Sequence, residues 1–261
     1  MDALTLLIQF VFRLSFGLAL AMAVTPSRLV TSGFYRVHLW VLLGLNTLAG
    51  LAAFFQRDPV DPQGPWGWVL ALAIAAAVVS YVGAILWLYE KSRAGKVAIL
   101  LVAAATLIGA ILATPWEHYP STTTVALALA DVASGGLVLG VTMAAMLLGH
   151  WYLNTPTMQL VPLKRLVLLM GAAVIVRGVL AAIGLSLEMS HHSLGTTTLW
   201  FVALRWLSGL IGVLVLAIMT WETLKVPNTQ SATGILYVGV ICSFLGELCS
   251  QLLSVNTLYP V

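Results

Sequence analysis

The chain has 261 residues, 61% of them apolar and 8% charged, with a mean hydropathy of +1.02 and a formal net charge of +3. A soluble domain carries about a quarter charged residues, so this composition excludes a soluble globular enzyme, a disordered chain and a nucleic-acid binder. At roughly 20 apolar residues per crossing, the length accommodates about eight membrane spans and no separate soluble domain.

Apolar runs of helix length recur between Pro, Gly, Ser, Thr and charged residues. They predict spans at 3–24, 34–55, 67–89, 97–115, 124–151, 164–187, 198–221 and 233–253 of a single membrane domain, 1–261. Period-two alternation is absent, which disfavours a β-barrel. An all-α integral membrane protein is the expected fold class, because a helix satisfies its own backbone in hydrocarbon. The first run reads as a retained span, since Asp2 and Arg13 are poor features for a cleaved signal peptide.

Lys and Arg concentrate in cytoplasmic loops. The connections after spans one, three, five and seven hold Arg28, Arg36, Lys91, Arg93, Lys96, Lys164, Arg165 and Lys225, whereas the other side has Arg57 beside Asp58 and Asp61. Both termini are therefore expected outside a cell membrane, bacterial inner membrane being the natural setting. Glu117, His118, Glu188, His191 and His192 fall on that outer side. Those outer His and carboxylate residues suit docking of an extracytoplasmic partner better than a metal site, since adjacent histidines are not a recognised ligand spacing. Cys242 and Cys249 lie seven apart on one face of the last span, which is no geometry for a disulfide between them.

Two halves, 1–115 and 124–253, resemble each other. Ser15-Phe-Gly-Leu-Ala-Leu is echoed by Ser134-Gly-Gly-Leu-Val-Leu, Val82-Gly-Ala-Ile-Leu by Ile211-Gly-Val-Leu-Val, and Trp87 with Glu90 by Trp221-Glu222. A repeat of four spans keeps its orientation, so the copies would be parallel four-helix bundles related by an axis along the membrane normal. The alternative is the general likeness of helices rich in Gly, Ala, Leu and Val. Gly136 with Gly140, and Gly209 with Gly212, are candidate packing seams.

Five ionisable residues fall inside spans: Arg13, Asp131, Arg177, Arg205 and Glu247. At 1.5 Å per residue, Asp131, Arg205 and Glu247 lie about 10 Å from the outer end of their spans, and Arg13 and Arg177 about 15 Å. Each is costly in hydrocarbon unless paired or hydrated. Glu247 shares a helical face with Ser243, Ser250 and Gln251, and Asp131 with Ser134. Together they predict a polar cavity open to the outside. Asp131 and Glu247 would be its proton acceptors, while Arg13, Arg177 and Arg205 would orient a quinone carbonyl or an anion. The structural alternative is interhelical ion pairs, Asp131 with Arg205 and Glu247 with Arg13 or Arg177. Three arginines on two carboxylates leave one positive charge over, which favours an anion. His38 and His150 stand at similar depth near the inner ends of spans two and five. There they are candidate axial ligands of one b-type haem, candidate quinone partners, or interfacial histidines beside Trp40, Trp151 and Tyr152. No Walker loop, GxSxG, HExxH, CxxC or CxxCH is present.

In size, topology and outer-half polar cluster the chain resembles the quinol-interacting membrane anchors of the NrfD and DMSO-reductase-anchor type. That resemblance implies a subunit of a respiratory or photosynthetic electron-transfer complex. Such a subunit passes electrons between quinol and an iron–sulfur or cytochrome partner and does not catalyse alone. It assigns no role to an individual residue, and Gly149-His-Trp-Tyr-Leu-Asn154 lies outside it. The other expectations are a proton-coupled or anion transporter or channel, and a cofactor-free structural or assembly subunit.

Overall fold

A computed structural model describes residues 2–57, 64–155, 157–191, 195–226 and 228–261. Among these residues there is no strand, and eight helices are long and apolar enough to span a membrane. They are α1 (Ala3–Val24), α2 (Ser32–Gln56), α3 (Pro65–Leu88), α4 (Ser92–Leu112), α5 (Thr122–Asn154), α6 (Val161–His191), α7 (Thr196–Thr223) and α8 (Thr229–Leu253). Each expected run is present, but α4, α6 and α8 begin earlier than their apolar stretches. A helix continues until a residue caps it, not until hydropathy falls. The Asn228 carbonyl oxygen of the side chain accepts from Ser231 N–H at 3.0 Å and starts α8 at Thr229. Asp2 Oδ1 accepts from Thr5 N–H at 2.9 Å ahead of α1, and Ser121 and Thr124 form a reciprocal capping box ahead of α5. A tight turn joins α3 to α4, with Glu90 in the left-handed region (φ 55°) and Lys91 N–H on the Leu86 carbonyl.

Hydrogen bonding in α7 widens to the π type over Arg205–Gly212. Hydropathy carries no signal for this, and such bulges concentrate at functional sites.

Helix α1 packs against α2, α4 and α5, and α3 bridges α2 and α4; α5 packs against α6 and α8, with α7 lying against both of these. The α1–α5 crossing is a backbone contact. A Cβ on Gly17 would stand 1.8 Å from the Gly136 carbonyl oxygen, and one on Gly140 would stand 1.9 Å from the Gly17 carbonyl carbon. The Gly136–Gly140 pair thus serves as the packing seam its spacing predicts. Gly209 does so as well, since a Cβ there would stand 2.6 Å from Gly246 Cα, whereas one on Gly212 would first meet the Leu207 carbonyl of its own helix. Outward-facing positions carry large apolar side chains such as Phe55, Trp68, Leu168, Leu207 and Ile241, suited to lipid contact. The cysteines are free.

Candidate functional site

All five intramembrane ionisable residues converge, one from each of α1, α5, α6, α7 and α8. Arg13 and Arg177 each bridge both carboxylates. Arg13 Nη1 lies 2.8 Å from Asp131 Oδ2 and 2.6 Å from Glu247 Oε1. Arg177 Nη1 lies 3.1 Å from Asp131 Oδ1, and its Nη2 lies 2.7 Å from Glu247 Oε2. The result is a closed ring of alternating charge. All five residues of the cluster are at least 90% buried, from 2% exposed at Arg205 to 9% at Asp131.

Polar neighbours hold the ring in register. Arg177 also donates to the Asp131 carbonyl (2.8 Å), Ser134 Oγ (3.0 Å) and Ser250 Oγ (3.1 Å). Arg13 Nε donates to Gln9 Oε1 at 3.3 Å, and Gln9 in turn donates to the Ala110 carbonyl and Thr114 Oγ1 on the α4 side. Gln251 Nε2 reaches Glu247 Oε1 at 3.4 Å. Gly135 is required by space, because a Cβ there would come within 2.8 Å of Glu247 Oε2 and 3.0 Å of Arg177 Nη1. The serines and Gln251 fall on the faces expected from spacing. Gln9 and Gly135 were not anticipated, although Gln9 stands one helical turn before Arg13 in an otherwise apolar run.

Arg205 differs from the other two arginines. It meets Asp131 Oδ1 only at 3.8 Å, and its buried Nη1 has no hydrogen-bond partner. The expected Asp131–Arg205 pair is therefore the loosest contact of the cluster, and Arg13 and Arg177 are the close partners of Asp131. Beside Arg205 lies a cavity of about 10 Å³ lined by Arg177, Glu247, Ser243, Gly209 and Gly246. That is room for about one water-sized species. Where a polar cavity open to the outside was expected, the described residues form a close-packed cluster with this small void beside it. Outside the spans, Tyr119 lies within electrostatic reach: burial and then the Asp131 carboxylate push its hydroxyl above the usual range, against Arg13.

His38 and His150 turn to different neighbours. His38 is buried, its Nδ1 2.6 Å from the Phe34 carbonyl and its ring packed on Phe34 and Trp151. His150 is exposed, with Nδ1 3.5 Å from the Tyr237 hydroxyl. Of the outer residues, Glu117 and His118 are exposed in a short 3-10 turn, and Glu188 is buried against the segment that follows α8. Asp58, Asp61, the His191 side chain and His192 lie outside the described residues. Among the described residues no three His, Cys, Asp or Glu group as metal ligands.

Comparison with family models, curated proteins and solved structures finds no match to this chain.

Proposed function

We propose that the chain is a multi-pass integral membrane protein, both termini outside, that acts as a transporter or channel for an anionic solute coupled to protons. The carrying observation is the surplus charge: three guanidiniums face two carboxylates, and the third, Arg205, keeps Nη1 without an acceptor beside a small cavity. A buried uncompensated cation is strongly unfavourable, so this site is electrostatically prepared for an anion. Coupling follows from charge arithmetic. With both carboxylates ionised the cluster carries 3 − 2 = +1. Uptake of one proton by Asp131 or Glu247 weakens its two ring contacts and raises the charge to +2, which tightens anion binding. By linkage a bound anion favours the proton equally.

The packing supports a parallel duplication. Helices α1–α4 and α5–α8 each close a circuit of neighbours, and the circuits meet at α1 and α5. Aligning Ser15 with Ser134 places Gly17 opposite Gly136, a pair in backbone contact at the α1–α5 crossing. An axis along the membrane normal between α1 and α5 would produce that contact; four cluster residues then come from the α5–α8 bundle, and Arg13 reaches in from α1 across the shared crossing.

One observation favours the second reading, a membrane subunit of an electron-transfer complex that binds quinol and docks an extracytoplasmic iron–sulfur or cytochrome subunit. A groove of about 270 Å³ between α1, α5 and α6 is apolar apart from Ser134, whose Oγ accepts from Arg177. An isoprenoid tail suits it, and Ser134 with Arg177 would be the polar contact for a head group. The 10 Å³ void has no room for a quinone ring.

Reconstitution of the chain alone tests the choice. Anion-dependent proton uptake into proteoliposomes, lost in Arg205→Gln, is expected. Absence of flux from correctly folded protein overturns the carrier reading. Quinone in an organic extract then assigns the redox subunit, and neither flux nor quinone assigns a cofactor-free structural subunit.

A further inference from the structure

The chain does not leave the helices where α8 ends. Thr257 N–H donates to the Leu253 carbonyl at 3.0 Å and turns the backbone back on itself. The next two amides, Leu258 and Tyr259, both donate to Oε2 of Glu188 on α6, at 3.0 and 3.1 Å. The Pro260 carbonyl then lies against Gly184, where a Cβ would stand 1.8 Å from its oxygen. Val261 is 1% exposed and packs with Val202 and Leu253, flanked by Leu185, Phe201 and Trp206. Val202 is three residues, or about 4.5 Å, before Arg205 along α7.

We propose that residues 254–261 are a re-entrant plug, latched by Glu188, that closes the approach to the charge cluster between α6, α7 and α8. Irregular backbone among apolar helices persists only where its amides find acceptors. Glu188 supplies them: a carboxylate 3% exposed receiving two consecutive N–H groups forms strong charge-assisted bonds. The latch joins the segment to α6, while Val261 fills the gap to α7 one helical turn from Arg205. Release of the latch therefore uncovers the guanidinium that lacks a partner. Closure of this path does not depend on which species the cluster handles.

Cys249 reports the path. It is 3% exposed, two residues from Glu247, and within electrostatic reach of Arg205. Replacing Cys242 by alanine leaves Cys249 as the one thiol of the chain. A charged, membrane-impermeant methanethiosulfonate is applied to either side of oriented vesicles. From the side where α8 ends, Glu188→Ala is expected to speed Cys249 labelling about tenfold or more over the parent, as local opening of a latched segment does. Gly184→Leu, which leaves Glu188 in place and displaces Pro260, has the same effect. Glu188→Gln retains an acceptor oxygen and stays near the parent rate. The plug is overturned if Glu188→Ala and Gly184→Leu both label at the parent rate, or if labelling rises equally from both sides. Labelling is independent of flux, so failure of the carrier reading leaves this result standing, and the reverse holds too.

Discussion

Replacing Glu247 by glutamine conserves side-chain volume and removes one of the two negative charges in the cluster. Glu247 accepts at 2.6 Å from Arg13 and at 2.7 Å from Arg177, and is 3% exposed. A glutamine offers one oxygen to two guanidiniums and turns its NH₂ toward the other donor. The cluster's charge rises from +1 to 3 − 1 = +2 in a region with little solvent. Removing one partner of such a buried pair costs about 3–5 kcal/mol. The assay is denaturant unfolding in mixed micelles, read by helical circular dichroism, with Arg13→Gln and the double variant alongside. Since the double variant restores the charge to +1, the two substitutions are expected to couple by about 2 kcal/mol, with the double variant more stable than the sum of its parts. Additivity to within about 0.5 kcal/mol, or a single-variant cost under about 1 kcal/mol, refutes the closed ring.

Arg205→Met should leave stability unchanged to within about 1 kcal/mol or raise it, because it removes a loosely paired buried charge; the same unfolding assay compares it with Arg177→Met, which is expected to cost about 3 kcal/mol or more. Gly140→Ala forces α1 from α5 and should cost more than about 2 kcal/mol. Gly171→Ala, where a Cβ meets nothing within 4 Å, should be neutral or stabilising by thermal unfolding. The Asp2 carboxylate is held below its ordinary value of 3.8 first by the Thr5 N–H. Its contribution is therefore present above that value and lost as pH falls through the lower folded value. Melting curves from pH 6 to pH 2 should show an acid-side decline that is shallower in Asp2→Asn, which still caps the helix.

Spans are legible in the sequence because hydrocarbon leaves the backbone few options, so an uncharged run of sufficient length has one outcome. Their ends are less so: Asn228 and Ser121 set where α8 and α5 begin, through one hydrogen bond and a reciprocal capping box that hydropathy ignores. The depth of each charged residue also follows from counting along its helix, which is why Arg13, Asp131, Arg177, Arg205 and Glu247 were expected between the outer third and the midplane, where they are close enough to be found together. Choice of partner does not follow from depth. It depends on which helices are neighbours, and the close α1–α5 crossing at Gly17 and Gly136 brings Arg13, instead of Arg205, onto Asp131. His38 and His150 illustrate the same limit, equal in depth but serving separate neighbours. The π-type segment beginning at Arg205 and the return of residues 254–261 onto Glu188 depend on tertiary contacts that no local pattern encodes.

Chloride or nitrate uptake by oriented proteoliposomes holding only this chain, driven by an inward proton gradient, probes the surplus cation most directly. Uptake that saturates, reverses with the gradient, and disappears in Arg205→Gln while its unfolding profile stays intact is the predicted result. Uptake that Arg205→Gln leaves unaltered, or its complete absence from folded wild-type protein, contradicts the account.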